Sequence, residues 1–459
     1  MSIYSHRYIL RVTIEFTTPF LVASGKSSLM ADDVFVTDAN GLPAIPGSSI
    51  AGALRAEYSR AFGATDAGKL FGSQDGSGSH GSKLKVSWGC IHDSRNIPVE
   101  GILDCIQDPV LQAALVPVVR DHVLINHKGV SDAEKRGKFN DQAVSAGHRF
   151  TFELELEGDE NDAKLWEQLK QCVCSQRVRL GGKSRRGYGA FKIVQSLERV
   201  FNLKERNDQE AYAKHPVSLA TKSEVLKSTP LNTHNGQPGT LIQLNLKPKG
   251  FWMFGSGKDD AESDMVYFTD SLVVWNNDNG TVREDVVVIP GSAVKGAIAH
   301  RLVYHYNRLK KIWAKKNDPD TENYLKSVSG ENCPAIRELF GYCDASGKSK
   351  KGIVLIDDCY LSDTPPSMIV HHVGIDRYTG GARDGCLFSE KPLWQNSGEA
   401  VITIYIRIEG KWPEDKDIKT AFKMTLEDLA EGRLQLGAGS GRGNGYFTGT
   451  IEENLGGIQ

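Results

Sequence analysis

The sequence predicts an α+β fold built twice in tandem, each copy an antiparallel sheet with helices on one face. Three observations carry this. Residues 45–54 read Ile-Pro-Gly-Ser-Ser-Ile-Ala-Gly-Ala-Leu, and residues 289–298 read Ile-Pro-Gly-Ser-Ala-Val-Lys-Gly-Ala-Ile, with six of ten positions identical. A glycine-rich stretch at residues 180–191 returns at residues 436–447. Between these markers the same order of elements runs in both halves, which is the signature of a duplicated domain.

Each half reads strand, loop, short strand, turn, helix, strand, hairpin, strand, helix, glycine loop, strand. In the first half, residues 7–18 alternate apolar and polar as a half-buried strand does. Residues 34–36 form the short strand. Pro46-Gly47-Ser48 predicts a turn feeding a helix over residues 48–62, with serine as its N-cap. Leu70-Phe71-Gly72 closes that unit, residues 74–83 are Gly/Ser-rich, and residues 84–91 are strand-like. Residues 118–148 carry charge and histidine and predict a hairpin excursion. A clean alternating strand follows at 149–156, then a helix at 163–172.

The second half repeats the series. Residues 241–246 and 272–275 are strands, 286–300 repeat the motif and helix, and Leu339-Phe340-Gly341 matches the earlier Leu-Phe-Gly. Residues 352–356 are a strand, 371–390 the hairpin, and 400–408 the alternating strand. Residues 201–239 are polar, hold Pro216, Pro230 and Pro238, and read as a linker with a short helix. The expected division is therefore a first domain at 1–200, a linker at 201–239 and a second domain at 240–459.

Composition is that of a water-soluble globular chain, with 40% hydrophobic and 24% charged residues. A net charge of -2 excludes global basicity, so any nucleic-acid site must be a local basic face. The eight cysteines fall four to each half with no CxxC pair, which disfavours structural zinc and reads as reduced, buried thiols. No signal peptide or membrane-spanning run is evident, and the expected location is the cytoplasm.

Four groups of residues carry possible chemistry. The glycine loops expose backbone N–H groups to a phosphate chain, and they add Lys183, Arg185 and Arg186 in the first copy and Arg442 in the second. Neither loop fits a nucleoside triphosphate or dinucleotide fingerprint. The bland alternative is a hairpin with solvated arginines. The helix after Ile-Pro-Gly-Ser offers Ser48, Ser49, Arg55, Ser292 and Lys295 to phosphate or 2′-OH, or is simply a capped helix packing through small residues. Aligning Asp32-Asp33-Val34-Phe35-Val36 with Asp270-Ser271-Leu272-Val273-Val274 sets Asp32 against Asp270, with Asp33 an extra carboxylate. These acids either orient or deprotonate a 2′-OH and hold a divalent metal, or make local turns. The hairpins set His122, Asn126, His127 and Lys128 against His372, Asp376 and Arg377, with Lys135, Arg136, Lys138, Arg383 and Phe388 beyond. Basic and aromatic residues of this kind suit single-stranded nucleic acid. The histidines could serve as metal ligands or general bases, but with no third ligand at fixed spacing they read in about equal measure as RNA-proximal or structural.

This order of polar loop with Asp, short strand, Ile-Pro-Gly-Ser helix, Leu-Phe-Gly, hairpin and terminal glycine loop resembles the RAMP superfamily. It looks in particular like the Csm and Cmr backbone subunits of type III CRISPR effector complexes. Ser-Gly-Arg-Gly-Asn-Gly-Tyr-Phe at 440–447 is the more specific loop, and Lys-Ser-Arg-Arg-Gly-Tyr-Gly-Ala-Phe at 183–191 replaces two glycines with cations. Two fused units resemble type III-D systems.

The resemblance implies RRM-like (ferredoxin-like) palms, each with a β-hairpin thumb and a C-terminal glycine-rich loop. It implies CRISPR guide RNA on the palm, complementary target RNA kinked by the thumb, other type III subunits as neighbours, and no membrane or small-molecule cofactor. It further implies cleavage of the target at Asp32 (or its neighbour Asp33) and Asp270 with a weakly bound divalent ion such as magnesium, held by Asp32 and Asp270. Three other readings compete. One is a non-catalytic scaffold, one a guide-RNA-processing endoribonuclease using His122, His127, His371 or His372, and one a small-molecule enzyme, which no motif supports.

Overall fold

The computed structural model describes residues 4–25, 34–74, 78–126, 131, 137–175, 177–231, 239–313, 321–344, 346–395 and 401–455. The acids Asp32 and Asp33 and the hairpin residues His127, Lys128, Lys135 and Arg136 lie outside these.

In the first unit β1 (His6–Phe16) is followed by α1 (Gly47–Phe62) and β2 (Leu84–Val86). A hairpin of β3 (Val118–Val123) and β4 (Lys138–Ala143) precedes β5 (Arg149–Gly158), α2 (Ala163–Val173) and β6 (Phe191–Asn202). The sheet order is β2-β5-β1-β6, all antiparallel. This is the ferredoxin-like arrangement, with both helices on one face. Leu10, Val12 and Ile14 alternate inward from β1 and meet Leu54 and Tyr58 of α1 and Trp166 and Leu169 of α2 in one core.

The second unit repeats it with β7 (Gly239–Trp252), the pair β8 (Thr269–Asn276) and β9 (Asn279–Ile289), α3 (Gly291–Leu309) and β10 (Val354–Ile356). The hairpin of β11 (Val370–Ile375) and β12 (Ala382–Lys391) leads to β13 (Ile402–Glu409), α4 (Lys416–Ala430) and β14 (Tyr446–Leu455). The order β10-β13-β7-β14 matches the first sheet. Ile242, Leu244 and Leu246 face a second core with Val294, Ile298, Phe422 and Leu426. Among the described residues no helix is long and apolar enough to cross a membrane.

Three expectations change. The serines of the Ile-Pro-Gly-Ser motif do not cap their helices. Pro46 and Pro290 occupy the N-cap positions, and no side-chain cap bond forms. The invariant need is glycine, because a Cβ on Gly47 would stand 2.2 Å from Val86 O and one on Gly291 2.3 Å from Ile356 O. The second unit lengthens into the β8–β9 hairpin what the first unit, among the described residues, closes as a tight turn between Thr37 and Pro43. The segment after residue 202 is no free tether. Its helix Arg206–Ala213 lies over the open face of the first sheet, where Ile9 packs with Phe201 and Leu226, and its strand Lys227–Ser228 extends the sheet edge by pairing antiparallel with β6. Arg11 donates to Thr221 O at 2.9 Å and Pro216 O at 3.0 Å from the same face.

The two units meet through an ionic junction. Arg120 of β3 reaches Asp358 at 2.5 Å and Asp270 at 3.0 Å, flanked by the Tyr188 and Phe268 rings. Arg179 pairs with Asp357, and Arg185 pairs with Glu409 at 2.7 Å. Trp275 donates to Gly147 O at 2.7 Å, and Arg149 stacks on its ring.

Candidate nucleic-acid interface

Each glycine loop presses its backbone onto the segment that follows the first strand of its unit. Gly181 has φ +94°, and a Cβ there would stand 2.4 Å from Leu21 O; Gly437 has φ +88° and would meet Met253 O at 2.2 Å. Only glycine fits both the left-handed backbone and the approach. A single turn follows, Ser184–Arg186 or Ser440–Arg442, closed by the left-handed Gly187 or Gly443. Before it, Lys183 takes a left-handed φ of 55° where the second copy has Gly439.

The loop cations are held by carboxylates. Arg186 donates to Asp141 at 2.8 Å, and Lys183 bonds the same carboxylate. Arg442 donates to Glu390 at 2.5 Å, and Asn444 donates to the other oxygen at 3.1 Å. The hairpin histidines share these acids, with His122 Nε2 3.2 Å from Asp141 and His372 Nε2 3.0 Å from Glu390. Each histidine and each arginine lies against a hairpin ring, His122 and Arg186 on Phe139, His372 and Arg442 on Phe388. Both acids have side chains only 1% exposed. The bonds to their charged forms hold both carboxyls below the usual range against the opposing pull of burial. The duplication thus includes a His–acid–Arg–Phe set whose histidines and arginines the sequence had singled out but whose acids it missed, because Asp141 and Glu390 sit in hairpin strands without a motif.

A cleft of about 870 Å³ runs between α1, the first glycine loop and the second unit. Ser48, Ser49, Gly52 and Ala53 form one wall, Gly181, Gly182, Ser184 and Arg185 another, and Lys351 and Gly352 a third. The small residues of α1 therefore face open space; nothing lies within 4 Å of a Cβ placed on Gly52. Arg55 is exposed and Ser292 half-buried. Lys295 donates to Arg185 O at 3.0 Å, and burial lowers its ammonium to about 8. Arg377 and Arg383 are exposed near the tip of the second hairpin.

The acid pairing requires correction. Isolated bridges join Ala23 to Phe35 in the first unit and Gly255 to Tyr267 in the second. Ser24 N donates to Val34 O as Ser256 N does to Val266 O, and Val36 N to Val22 O as Phe268 N does to Phe254 O. The spacing that carries Ala23 to Gly255 and Phe35 to Tyr267 carries Asp32 to Asp264, and Asp38 to Asp270. Asp270 has its side chain 1% exposed and its Oδ2 bonded by Arg120, with Tyr360 Oη at 3.4 Å. Burial pushes its carboxyl up and Arg120 pulls it back. A carboxylate this enclosed and paired with Arg120 is out of reach of an RNA 2′-OH. Among the described residues no group of three or more His, Cys, Asp or Glu is placed to hold a metal.

Asp264 is exposed instead. Its carboxylate accepts from Ser389 N at 2.7 Å and Ser389 Oγ at 2.9 Å, and these bonds keep it charged by lowering its pKa. Ser-Gly-Lys stands at both 24–26 and 256–258, and the same step from it reaches Asp32 and Asp264. That signal was available in the sequence.

All eight cysteines are free; Cys172, Cys174 and Cys333 are buried, while Cys105 and Cys343 are exposed, which corrects the expectation of uniformly buried thiols.

Two ferredoxin-like units in tandem, each with a hairpin insertion and a terminal glycine loop, define the class of protein. The sequence matches the RAMP superfamily over residues 13–192 and 279–448, and the chain belongs to that family. No curated protein matches it. Among solved structures it is similar to a chain of the type III-B Cmr-beta bound to cognate target RNA, with 16% identity and a TM-score of 0.30. That match covers 43% of this chain and 61% of the other.

Proposed function

We propose that this chain is a guide-RNA-binding backbone subunit of a type III CRISPR effector complex, acting in the cytoplasm. In this reading it cleaves complementary target RNA once per unit, at Asp32 and at Asp264. The observation that supports the second site is the spacing by which Asp264, exposed and charged, follows Ser256-Gly257-Lys258 as Asp32 follows Ser24-Gly25-Lys26. Membership in the RAMP superfamily and the cleft lined by α1 and a glycine loop support RNA as the ligand. The type III-D likeness of two fused units supports further effector subunits as neighbours.

The guide backbone lies along the cleft, with phosphates at the glycine-loop N–H groups and the Ser48 and Ser49 hydroxyls. At the acid loop the carboxylate accepts the proton of a target 2′-OH. The freed oxygen attacks the adjacent phosphorus, the bond to the 5′ oxygen breaks, and that oxygen takes a proton from water. The products are a 2′,3′-cyclic phosphate and a 5′-OH end. A magnesium ion, when bound, would stabilise charge on the phosphate, with the charged carboxylate of Asp264 as its protein contact.

The test is labelled complementary RNA supplied to the guide-loaded complex, with and without magnesium. Asp264→Ala is expected to slow one discrete cut by about 10²–10⁴-fold, and Asp32→Ala or Asp33→Ala another. Asp270→Ala is expected to leave both cut positions in place. A ladder unchanged in Asp32, Asp33 and Asp264 variants would sink the cleavage reading, and cutting that persists in chelator would move it to the histidines. Guide binding has a separate check. Gly52→Trp fills open space, so the fold should hold while guide-RNA affinity drops at least about tenfold, a loss of about 1.4 kcal/mol measurable by filter binding.

A further inference from the structure

We propose that Glu390 and Arg442 are positioning residues for Asp264, so that the second glycine loop sets the geometry of the acid loop rather than gripping phosphate through its arginine. This rests on the reading of Asp264 as a cleavage residue.

The connections are continuous. Arg442 and Asn444 of the glycine loop donate to the two oxygens of Glu390, whose side chain is 1% exposed. His372, across the hairpin, lies 3.0 Å from one of them and stacks on Phe388. Glu390 is thus fixed from three directions. The residue before it, Ser389, makes both bonds to the Asp264 carboxylate, and Asp264 N donates back to Ser389 Oγ at 3.2 Å. Met265 and Val266 pair in parallel with Glu390 and Lys391. Lys391 then reaches Asp260 at 3.1 Å and Glu262 at 3.3 Å. The acid loop closes on itself through Ser256 N to Val266 O and the bonds to Asp260, and its Asp264 end is sewn to β12, which the glycine loop holds through Glu390.

A guanidinium already bonded to a buried carboxylate is not free to neutralise a phosphate without leaving that carboxylate uncompensated. The backbone N–H groups of the loop remain the phosphate contacts. Arg442 acts through Glu390 on where Asp264 stands, and displacement of a reacting group by about 1 Å costs about 100-fold in rate.

The experiment uses the guide-loaded complex and labelled complementary RNA, with the first unit's cut as an internal control for folding and assembly. Glu390→Ala and Arg442→Ala are expected to slow the second unit's cut about 100-fold with target affinity and the first cut unchanged. Glu390→Gln, which keeps an acceptor for Arg442 and Asn444, is expected to recover most of the rate. Hydrogen exchange of residues 256–266 in the RNA-free chain is expected to quicken in Glu390→Ala and to return in Glu390→Gln. Unchanged exchange, or a guide-affinity loss in Arg442→Ala with normal second-site cutting, overturns the assignment. If Asp264→Ala leaves the cut intact while Glu390→Ala still frees the loop, the cleavage reading fails and the mechanical link stands.

Discussion

Replacing Arg120 by alanine is expected to destabilise the chain by about 3–5 kcal/mol, the cost of leaving buried charge without its partner. Arg120 is the single cation facing both Asp270 and Asp358 among the described residues, and their side chains are 1% and 0% exposed. Tyr360 Oη also lies 3.4 Å from the guanidinium. Neither acid can recover its hydration unless the junction opens. The variant should therefore lower the urea midpoint and separate the unfolding of the two units, which fluorescence and circular dichroism would report as non-coincident transitions. Arg120→Met combined with Asp270→Asn and Asp358→Asn should regain most of the loss, because the desolvated charges are gone. A loss below about 1 kcal/mol in Arg120→Ala would place the pair among weak surface bridges and refute a junction of this kind.

The same junction explains why part of the site was legible in the sequence and part was not. The duplication showed because Gly47 and Gly291 must touch a neighbouring strand and so keep the Ile-Pro-Gly-Ser context recognisable. The glycine loops showed for a like reason at Gly181 and Gly437. The partners of the cations did not show. Asp141 lies 45 residues before Arg186, and Asp358 lies 238 after Arg120, with no local pattern to link them. The acid register failed through an insertion. Matching the short strand at 34–36 to 272–274 sets Asp32 beside Asp270, but residues 272–274 belong to the longer β8–β9 hairpin; counting forward from Ser256-Gly257 meets Asp264 before the hairpin begins. Anchoring on the motif nearer the acid avoids the error. Asp270, freed from a catalytic assignment, has a clear physical task at the junction, which its equivalent Asp38 does not share. Asp38 instead accepts from Asn40 N and Leu42 N to close a local turn.

Acid should unfold the first unit before the second. His92 and His148 are both in the first unit, 2% and 0% exposed, and burial drives each ring down to about 4. His92 at least has Asn96 at 2.9 Å and Thr151 at 2.7 Å, whereas neither ring nitrogen of His148 has a hydrogen-bond partner among the described residues. Above pH ~6.5 the rings are neutral in the folded and unfolded chains, so nothing is lost. Between about 6.5 and 4 the unfolded chain takes up protons that the folded unit refuses. Each ring then removes about 1.4 kcal/mol per pH unit, or about 2 kcal/mol at pH 5 and about 4 kcal/mol for the two together. In the second unit burial lowers His305 too, with Asp428 at 2.8 Å opposing the shift. The Asp428 carboxyl is held at about 2 by Arg433, His305 and Arg301 against the pull of burial. Its contribution is present above the ordinary carboxylate pKa and is lost only as pH falls from about 4 through 2, a later window. Urea midpoints measured from pH 7 to 4 should therefore fall first for the first unit. His148→Leu adds no unpaired group and should halve that acid slope while holding or raising stability at pH 7. A variant whose slope matches the wild type would show that His148 is charged in the folded unit and would remove the basis of the prediction.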